Sequence, residues 1–438
     1  MNINNQKEIC MIGLGYVGIT LAGAFLRKGA RVSGVEIRES VCESLKRGQI
    51  HLQEPGLEEI VRETVGKTFN VSTQMPEKLS TAIICVSTPF GHLTKEPNLE
   101  QLVSAAQEVA NRMTEDTLVI VRSTVPIGTT RKVVLPILQK TVANPIIVFA
   151  PERTIQGKAV EELLTLPQVI GTDDDSHFER AKEIFDILGV EIIRTSSWEA
   201  GEMIKLICNA HTDLNYGFGN EVAAVADCFG LDAHEVIGAA NYHYPRPDLS
   251  RPGYVGGSCL TKDPYHLIHS AEKHGYTPRL IASARELNES LPDRILTQIE
   301  AILEKLQRTW PNVSVLLSGF AYKGVPQTDD LRGSPVWDMS KLLRLRGVKK
   351  ISGHDFVVGE QAIAEVGAEP AEPEEAFLQA DVIILLNNHP NYRGLRLSEL
   401  IPNMKENAIL FDLWGVLREQ MEKLSADKIY YLGVGFRG

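Results

Sequence analysis

Short apolar segments alternate with amphipathic ones through the first part of the chain. The apolar segments, which predict buried strands, occupy residues 8–12, 31–37, 81–86, 117–122 and 146–150. Between them, segments 16–28 and 99–113 and a further one that begins at Thr129 predict helices. Strands that alternate with helices are typical of a parallel, doubly wound sheet. We therefore expect residues 1 to about 200 to form one α/β domain.

The pattern becomes helical from Trp198 onward and then returns to alternation. Segments 199–229, 232–240 and 263–289 predict helices, the last with a break near Pro278. Further apolar runs at 313–320, 350–354, 382–386 and 408–411 predict strands of a second, smaller α/β domain. The fold class that we expect is α/β, with two doubly wound domains joined by a central helical domain.

The bulk composition excludes several classes of protein. The chain has 438 residues, 43% of them hydrophobic and 23% charged, which is ordinary for a soluble globular protein of two or three domains. Its net charge of -11 argues against binding to nucleic acid or to an anionic membrane. The N-terminus lacks the layout of a signal peptide, and no apolar run is long enough to span a membrane.

The cysteines indicate a reducing environment. The six are scattered, with no C-x-x-C pair and no zinc-type spacing, so we expect free thiols in the cytoplasm and no metal site. Cys10 and Cys85 lie within or at the end of apolar strands and are expected to be buried. Cys42, Cys208 and Cys228 fit packing positions on helices.

A glycine-rich turn follows the first predicted strand and opens the first helix. Gly13 permits a tight turn, Gly15 lets backbone approach a pyrophosphate, and Gly18 allows close packing of helix on strand. Glu36 ends the next strand, near the spacing expected of an acid that binds the adenosine ribose. Its charge would repel a 2′-phosphate and favours NAD, although Arg38 leaves NADP open. The alternative is a glycine-rich turn without a ligand.

Hydroxyl and charged side chains follow three further strands at their carboxyl ends. Ser87 and Thr88 follow one strand, Thr124 follows another, and Glu152 and Arg153 follow a third. Ligands bind at this edge of an open α/β sheet, so these residues are candidates for cofactor and substrate contacts. The alternatives are helix capping or turn formation by the hydroxyls, and a surface salt bridge made by Glu152.

Cys259 differs from the other thiols in its surroundings. It lies in the run Gly253-Tyr-Val-Gly-Gly-Ser-Cys-Leu-Thr-Lys-Asp263, with glycines before it and Lys262 and Asp263 after it. Glycines allow a ligand to approach closely, and a nearby cation favours the nucleophilic thiolate. A nicotinamide site together with such a thiol predicts a dehydrogenase that oxidises its aldehyde product a second time. The alternative is a buried structural thiol.

Polar side chains in the helical block and in the last domain complete the candidate set. Lys205 and Asn209 are four residues apart and share one face of a predicted helix, a spacing that is also common on solvated helices. Lys323 and Arg332 follow the first strand of the last domain and are candidates for phosphate binding, or ordinary solvated charges.

Together these segments resemble the nucleotide-sugar 6-dehydrogenase family, whose members act on UDP-glucose, UDP-N-acetylmannosamine or UDP-N-acetylglucosamine. The match runs nearly end to end and comprises GLGYVG at 13–18, STP at 87–89, STVPIGTT at 123–130, PER at 151–153, EMIKLICNA at 202–210, GYVGGSCLTKDP at 253–264, and GFAYKG with DDLRGSP at 319–335. The resemblance implies an NAD-binding Rossmann domain at 1–200, a central helical dimerisation domain at 201–300 and a UDP-binding Rossmann-like domain at 310–438.

The resemblance also implies a reaction, in which two NAD-dependent oxidations convert the sugar C6 hydroxyl to a carboxylate. The catalytic residues implied are Lys205 and Asn209 for the oxyanion, Cys259 for a thiohemiacetal and thioester, and Glu152, Thr124 and Asp263 for the hydrolytic water. The cofactor contacts implied are Gly13, Leu14, Gly15, Tyr16, Val17, Gly18, Glu36, Ser87, Thr88, Thr124 and Arg332. The substrate contacts implied are Glu152, Arg153, Lys205, Asn209, Arg246, Gly253, Tyr254, Gly256, Gly257, Tyr322 and Lys323.

Sequence details favour a UDP-N-acetylhexosamine, either UDP-N-acetylmannosamine or UDP-N-acetylglucosamine. Pro-Glu-Arg at 151–153 and His389 are similar to that branch of the family, whereas Ser258 departs from it and the Lys262-Asp263 pair is more like the UDP-glucose enzymes. UDP-glucose 6-dehydrogenase is therefore the alternative. Remoter alternatives are a two-electron 2-hydroxyacid-type dehydrogenase and an NAD-binding protein without chemistry. As partners we expect a UDP-sugar and a second copy of the chain, with no nucleic acid and no membrane.

Overall fold

The computed structural model describes residues 8–91, 96–245, 248–424 and 428–437. The chain divides into two compact units, the first comprising Met1–Asn209 and Tyr265–Thr277 and the second comprising Ala210–Pro264 and Pro278–Gly438. A mostly parallel sheet forms the centre of each unit. The predicted fold class is therefore confirmed, whereas the predicted division into three domains at 1–200, 201–300 and 310–438 stays a prediction.

The first unit is built on an eight-stranded sheet. In chain order its strands are β1 (Ile9–Ile12), β2 (Val32–Val35), β3 (Phe69–Ser72), β4 (Thr81–Ile84), β5 (Leu118–Val121), β6 (Ile146–Phe149), β7 (Gln168–Gly171) and β8 (Ile192–Thr195). Their order across the sheet is β3-β2-β1-β4-β5-β6-β7-β8. Strands β1 to β6 are parallel, while β7 pairs antiparallel with β6. The order of the first six strands is the one that Rossmann folds use to bind dinucleotides.

Helices enclose this sheet, which explains why its central strands are continuously apolar. They are α1 (Tyr16–Arg27), α2 (Glu39–Lys46), α3 (Leu57–Thr64), α4 (Glu100–Ala110), α5 (Leu135–Leu138), α6 (Ala159–Leu163) and α7 (Asp175–Phe185), with a π-helical turn at Thr130–Val134 before α5. In β1, Ile9 and Met11 belong to one core cluster, and Cys10 and Ile12 belong to another. A strand with a core on both faces needs apolar residues at every position.

The predicted helical block consists of four helices, α8 (Trp198–Phe229), α9 (Ala233–Asn241), α10 (Asp263–Glu272) and α11 (Arg279–Lys305). The break near Pro278 is confirmed, because that residue is the N-cap of α11. The predicted end at 289 is wrong, because α11 continues through Pro292 to Lys305. Buried Leu291, Ile295 and Ile299 hold this continuation in the core of the second unit. In the part of the chain that is described, no helix has the length and apolar character needed to cross a membrane.

The second unit repeats the strand order of the first. Its sheet has seven strands, β9 (Ser314–Ser318), β10 (Lys350–His354), β11 (Glu369–Pro370), β12 (Val382–Leu385), β13 (Ala408–Asp412), β14 (Ile429–Gly433) and β15 (Phe436–Arg437). Their order is β11-β10-β9-β12-β13-β14-β15, and all neighbours are parallel except the last pair. Helices α12 (Pro335–Leu345), α13 (Glu360–Glu365), α14 (Pro373–Gln379), α15 (Leu397–Leu400) and α16 (Arg418–Met421) follow its strands.

Asp174 caps the N-terminus of α7, and its removal is expected to weaken the first unit. Its carboxylate accepts from the N–H groups of Ser176 at 2.7 Å and His177 at 3.0 Å. Loss of such a cap costs about 1 kcal/mol, so Asp174→Ala should lower the thermal midpoint by about 2–4 °C. Glu179→Ala, an exposed change on the same helix, should leave the midpoint unchanged.

The same cap predicts a pH dependence. Hydrogen bonds from the Ser176 hydroxyl and the His177 N–H lower the pKa of Asp174 from 3.8 to about 2. A lowered folded-state pKa means that the stabilisation is complete above the ordinary value and is lost as pH falls through the folded value. The difference in thermal midpoint between wild type and Asp174→Ala should therefore shrink as pH falls from 3.8 towards about 2. A difference that stays constant over this window would contradict the assignment.

Candidate active site

The glycine-rich turn after β1 has the geometry of a dinucleotide cradle. Gly13 adopts φ +87°, and a Cβ there would lie 2.7 Å from the Cys85 carbonyl oxygen. A Cβ on Gly18 would lie 1.9 Å from the Gly13 carbonyl oxygen, so α1 packs directly on the turn. A Cβ on Gly15 would meet nothing within 4 Å. Two glycines are therefore required by packing, and the third leaves open space beside the N-terminus of α1, where a pyrophosphate binds in such folds.

Glu36 follows β2, and its ionised carboxylate is fixed by hydrogen bonds from two neighbouring groups. It accepts from the Leu14 N–H at 3.2 Å and from the Arg38 Nε at 3.0 Å. Burial by itself raises the pKa of Glu36, but the hydrogen bonds and charge of Arg38 outweigh burial and the pKa is lowered. An ionised acid at this position accepts hydrogen bonds from a ribose diol and opposes a 2′-phosphate, so the residues present fit NAD.

Sequence reasoning missed Glu54, which fixes the first turn of α1. The Tyr16 hydroxyl donates to the Glu54 carboxylate, which also accepts from the Gly157 N–H at 2.8 Å and the Val160 N–H at 3.3 Å. Glu54 is 6% exposed. It thus joins the glycine-rich turn to a segment more than a hundred residues away, and no local pattern around Glu54 signals this contact.

The predicted hydroxyl-bearing segments lie side by side at the carboxyl edge of the first sheet. The Thr88 hydroxyl donates to the Thr124 carbonyl oxygen, and the Ser123 hydroxyl donates to the Val86 carbonyl oxygen at 2.7 Å. The His266 Nε2 lies 3.2 Å from the Thr88 carbonyl oxygen. These bonds join the loop that follows β4 to the loop that follows β5. In this arrangement Ser87 is exposed and Thr124 is half-buried.

Glu152 forms an ion pair, but a buried one, so the interpretation as a surface salt bridge is wrong. Its partner is Arg122, with Nη2 and Oε2 2.7 Å apart and side chains 0% and 6% exposed. The other carboxylate oxygen accepts from the N–H groups of Arg153 at 2.7 Å and Thr154 at 2.9 Å. Burial raises the pKa of Glu152, but the Arg122 charge, these bonds and Lys205 outweigh it, so the pKa is lowered. Arg122 was missed as a partner, although it directly follows β5 and lies two residues before Thr124.

Lys205 and Asn209 lie on α8 in the first unit, Lys205 buried and Asn209 half-buried. One turn earlier, Glu202 anchors that helix to the segment after β5. Its carboxylate accepts from the N–H groups of Gly128 at 2.5 Å and Thr130 at 2.7 Å. Burial raises the pKa of Glu202 to about 7 despite these donors. The helix that carries Lys205 is therefore tied directly to the loop that carries Thr124.

Cys259 is exposed at the end of a buried loop in the second unit. The backbone from Gly253 to Gly257 is buried, whereas the thiol faces solvent. A Cβ on Gly257, which adopts φ +91°, would lie 2.8 Å from the Tyr322 ring, and a Cβ on Gly256 would lie 2.7 Å from the Gly333 carbonyl oxygen. Glycine is required at both positions because the loop lies directly on another segment of the chain. The alternative of a buried thiol at Cys259 is wrong.

The other thiols divide into buried and exposed groups. Cys10 and Cys85 are buried as predicted, and burial raises the pKa of each to about 12. Cys42 is buried as well. Cys208 and Cys228 are exposed, so the prediction that they pack inside the helical block is wrong. They lie at exposed positions of α8, which the sequence alone did not identify.

Charged side chains of the second unit interact electrostatically with Cys259. Lys262 donates to Asp263 at 2.5 Å, and Asp263 is fully buried. Burial lowers the pKa of Lys262, but the charges of Asp263 and then of Cys259 outweigh it, so the pKa is raised. Arg332 also interacts electrostatically with the thiol, as does the Tyr322 ring hydroxyl. Two cations therefore lie within electrostatic reach of the sulfur.

The segment after β9 holds further predicted contacts. Lys323 lies over the Tyr322 ring, 5.3 Å from its centroid, and Arg332 pairs with Asp330 at 2.7 Å. Sequence reasoning missed Asp355, which follows β10 and accepts from the Phe320 N–H at 2.6 Å. Tyr254 is buried in the core of this unit, and Arg246 lies outside the described residues. Thr124, Glu152, Lys205 and Asn209 thus belong to the first unit, and Cys259, Asp263, Tyr322, Lys323 and Arg332 belong to the second.

Three models of one protein family match the chain in succession. They describe the NAD binding domain of the UDP-glucose/GDP-mannose dehydrogenase family at residues 7–189, the central domain at 199–290 and the UDP binding domain at 316–419. A UDP-N-acetyl-D-mannosamine dehydrogenase from Methanococcus maripaludis is 30% identical, with 98% of this chain and 97% of that protein covered.

Solved structures show the same similarity. A UDP-D-ManNAc dehydrogenase from Pyrococcus horikoshii matches with a TM-score of 0.88 and 29% identity over 98% of this chain and 99% of that one. A UDP-glucose dehydrogenase from Pyrobaculum islandicum matches with a TM-score of 0.83 and 25% identity over the full length of both chains.

The glycine geometry predicts opposite behaviour for two Gly→Ala changes. Gly15→Ala adds a methyl group to open space, so the thermal midpoint should stay unchanged while NAD affinity falls about tenfold or more, because the methyl group occupies the space where backbone approaches the pyrophosphate. Gly18→Ala places a methyl group 1.9 Å from a carbonyl oxygen and should lower the midpoint by several degrees. Calorimetric NAD titration and thermal unfolding measure the two effects, and equal NAD affinity for Gly15→Ala and wild type would rule out the cradle.

Proposed function

Because the chain belongs to the UDP-glucose/GDP-mannose dehydrogenase family, we propose that it oxidises the C6 hydroxyl of a UDP-N-acetylhexosamine to the uronate, with UDP-N-acetylmannosamine as the preferred substrate. Family membership makes it an NAD-dependent nucleotide-sugar dehydrogenase. The observation that supports the four-electron reaction is the thiol of Cys259, which is exposed on a buried glycine-rich loop and interacts electrostatically with Lys262 and Arg332.

NAD would bind along the turn of Gly13, Gly15 and Gly18, with its ribose at Glu36. One NAD would accept the hydride of the first oxidation, and a second NAD bound at the same place would accept the hydride of the second. The open space at Gly15 and the ionised carboxylate of Glu36 support this assignment. Ser87, Thr88 and Thr124 would line the same edge of the sheet, and Arg332 completes the proposed set of cofactor contacts.

In the first oxidation, the C6 hydroxyl loses its proton as hydride leaves the carbon, and negative charge develops on the oxygen. Lys205 and Asn209 would donate to this oxygen, because an ammonium and an amide stabilise an alkoxide. Glu152 would hold the water that takes the proton. Its lowered pKa keeps the carboxylate ionised, so it accepts a hydrogen bond from that water at neutral pH.

In the second oxidation, the Cys259 sulfur adds to the aldehyde carbon and forms a thiohemiacetal. Loss of hydride from that carbon leaves a thioester on the sulfur. Water then adds to the thioester carbonyl, the carbon–sulfur bond breaks, and the uronate and free thiol are released. Thr124, Glu152 and Asp263 would position this water, and the cations Lys262 and Arg332 support the thiolate as leaving group.

The UDP moiety would bind in the second unit. Lys323 and Tyr322 follow β9 and are available to a phosphate and a base or sugar, while Gly253, Tyr254, Gly256 and Gly257 would contact the sugar. Arg153 and the predicted Arg246 complete the proposed substrate set. The UDP-N-acetyl-D-mannosamine dehydrogenases among the similar proteins support an N-acetylhexosamine, and UDP-glucose is the alternative substrate. The free cysteines and the substrate class support a cytoplasmic location.

A substrate panel tests the function. Wild-type protein, excess NAD and limiting UDP-N-acetylmannosamine should release two NADH per sugar, with kcat/KM at least about tenfold above that for UDP-glucose. Cys259→Ser should release no more than one NADH per sugar, because a hydroxyl is a far weaker nucleophile at neutral pH. Cys228→Ser, a matched change at another exposed thiol, should keep two.

Each other outcome selects a different function. Two NADH per sugar with Cys259→Ser would exclude the thioester route. One NADH from wild type, with an aldehyde as the end product, would identify a two-electron dehydrogenase. NAD binding without turnover of any UDP-sugar would leave a non-catalytic NAD-binding protein.

We also propose that the chain forms a homodimer through α8. Phe218, Val225 and Phe229 are 51%, 54% and 75% exposed and recur at a spacing that puts them on one helix face. An exposed apolar stripe of this kind is typical of a protein interface. A second copy of the chain is the proposed partner because an isologous contact pairs the same stripe with itself.

The dimer is tested by placing a charge in this stripe. Val225→Glu should convert the dimer to a monomer in sedimentation velocity at micromolar concentration, because an unpaired buried carboxylate costs several kcal/mol. Leu345→Glu, at a residue that is 74% exposed on α12, should leave the dimer intact. A wild-type chain that sediments as a monomer would overturn the proposal.

A further inference from the structure

Four buried polar side chains form a continuous hydrogen-bonded chain between helices α8 and α11. They are Asn220, Asn288, Asp213 and Arg285, with exposed fractions of 0%, 0%, 0% and 2%. Asn220 donates to the Asn288 amide oxygen at 2.9 Å, Asn288 donates to an Asp213 carboxylate oxygen at 2.8 Å, and Arg285 donates to the same oxygen at 2.6 Å. All four belong to the second unit. We call them the buried polar chain.

One end of the buried polar chain binds the first residue of the loop at residues 253–259, which we call the cysteine loop. The Asn220 side-chain oxygen accepts from the Gly253 N–H at 2.8 Å, and its side-chain nitrogen donates to the Gly253 carbonyl oxygen at 2.9 Å. This reciprocal pair fixes both position and orientation of the Gly253 peptide groups. A Cβ on Gly253 would lie 2.5 Å from the Trp414 ring, so the loop is also confined from its other side.

The other end holds the backbone directly after the thiol. Arg285 donates to the Leu260 carbonyl oxygen at 3.0 Å, and Leu260 is the residue that follows Cys259. The same guanidinium nitrogen thus bonds both Asp213 and the loop. The loop between these two attachment points contains Gly253, Gly256 and Gly257, which would otherwise leave it conformationally free.

A fully buried ionic network is an expensive way to gain stability. Burying Arg285 and Asp213 costs several kcal/mol of desolvation per ion, and apolar replacements of such networks are often neutral or stabilising. The bonds to Gly253 and Leu260, by contrast, are directional and determine where the backbone lies. Geometry therefore favours a role in holding the loop over a role in stability alone.

We propose that Arg285, Asp213, Asn288 and Asn220 are positioning residues for Cys259. They fix the backbone on both sides of the thiol, so that the sulfur is presented in one place. The link to catalysis rests on the proposed function, whereas the link to the thiol's position does not. A misplacement on the order of 1 Å can lower a rate roughly 100-fold.

The test compares two Arg285 variants in the full-length protein. Arg285→Met removes the donor and the charge at similar length, and Arg285→Lys keeps an ammonium that can donate. The rate of alkylation by iodoacetamide is measured at each cysteine by mass spectrometry, with exposed Cys228 as an internal reference. We expect the Cys259-to-Cys228 rate ratio to fall about fivefold or more in Arg285→Met, because the loop loses its attachment at Leu260 and no longer holds the sulfur in its exposed position, and to recover largely in Arg285→Lys.

Leu296→Ala is the matched control, because Leu296 is fully buried on the same helix in the core of the second unit. It should lower the thermal midpoint but keep the wild-type alkylation ratio and two NADH per sugar. Arg285→Met should lower kcat roughly 10- to 100-fold with KM changed less than about threefold, and NADH per sugar should fall from two towards one as aldehyde escapes. If Arg285→Met does not fold, Asn220→Asp replaces it, since the change is isosteric and removes the nitrogen that donates to the Gly253 carbonyl oxygen and to the Asn288 amide oxygen, and the same fall in ratio is expected.

The outcomes separate this inference from the proposed function. An alkylation ratio in Arg285→Met and Asn220→Asp that equals the ratio in Leu296→Ala overturns the positioning role, whatever happens to UDP-sugars. A fall in the ratio in a protein whose wild type oxidises no UDP-sugar supports the positioning of the thiol and overturns the proposed function instead. A fall in the ratio together with aldehyde release supports both.

Discussion

Both sheets of this protein depend on one steric constraint. In each unit, the turn after the first strand packs directly against the segment that follows the fourth strand, so the first residue of the turn must be glycine. Gly13 at φ +87° would place a Cβ 2.7 Å from the Cys85 carbonyl oxygen, and Gly319 at φ +92° would place one 2.7 Å from the Asn387 side chain. In each unit, an acid after the second strand then accepts from the N–H that follows the glycine, Glu36 from Leu14 at 3.2 Å and Asp355 from Phe320 at 2.6 Å. The turn at the reversal of strand order is therefore fixed by close contacts in each unit, and open α/β sheets bind their ligands at this edge.

Buried carboxylates in each unit are paired with cations. Arg122 pairs with Glu152 in the first unit, and in the second unit Lys262 pairs with Asp263 and Arg285 pairs with Asp213. A buried carboxylate with such partners has a fixed position and a fixed direction for the bonds that it accepts, so little reorganisation is left for the reaction. Cys259 differs from these carboxylates, because its loop is buried and held by hydrogen bonds while its thiol is exposed, as the proposed role of a nucleophile requires.

The regular pattern of the sequence predicted the central strands and the long helices, and failed where solvent or geometry interrupts the pattern. Phe69–Ser72 and Ile192–Thr195 are the two edges of the first sheet and carry exposed side chains, so no continuous apolar run marks them. Helix α11 continues past Pro292, although a proline removes a helix hydrogen bond, because the residues around it are buried in the core of the second unit. Cys208 and Cys228 lie at exposed positions that the apolar composition of α8 does not reveal.

The amino-acid sequence by itself determined the fold class, the glycine-rich turn, the acid that follows the second strand and the distinct character of Cys259. These features are local, since the spacing of glycines, the end of a strand and the neighbours of a cysteine are all read within a few residues. Only the tertiary structure identified Glu54 as the partner of Tyr16, Arg122 as the partner of Glu152, and the path from Asn220 to Arg285 that joins Gly253 to Leu260. These contacts join residues tens of positions apart in the chain, and which side chains meet is decided by the packing of strands and helices rather than by any local pattern.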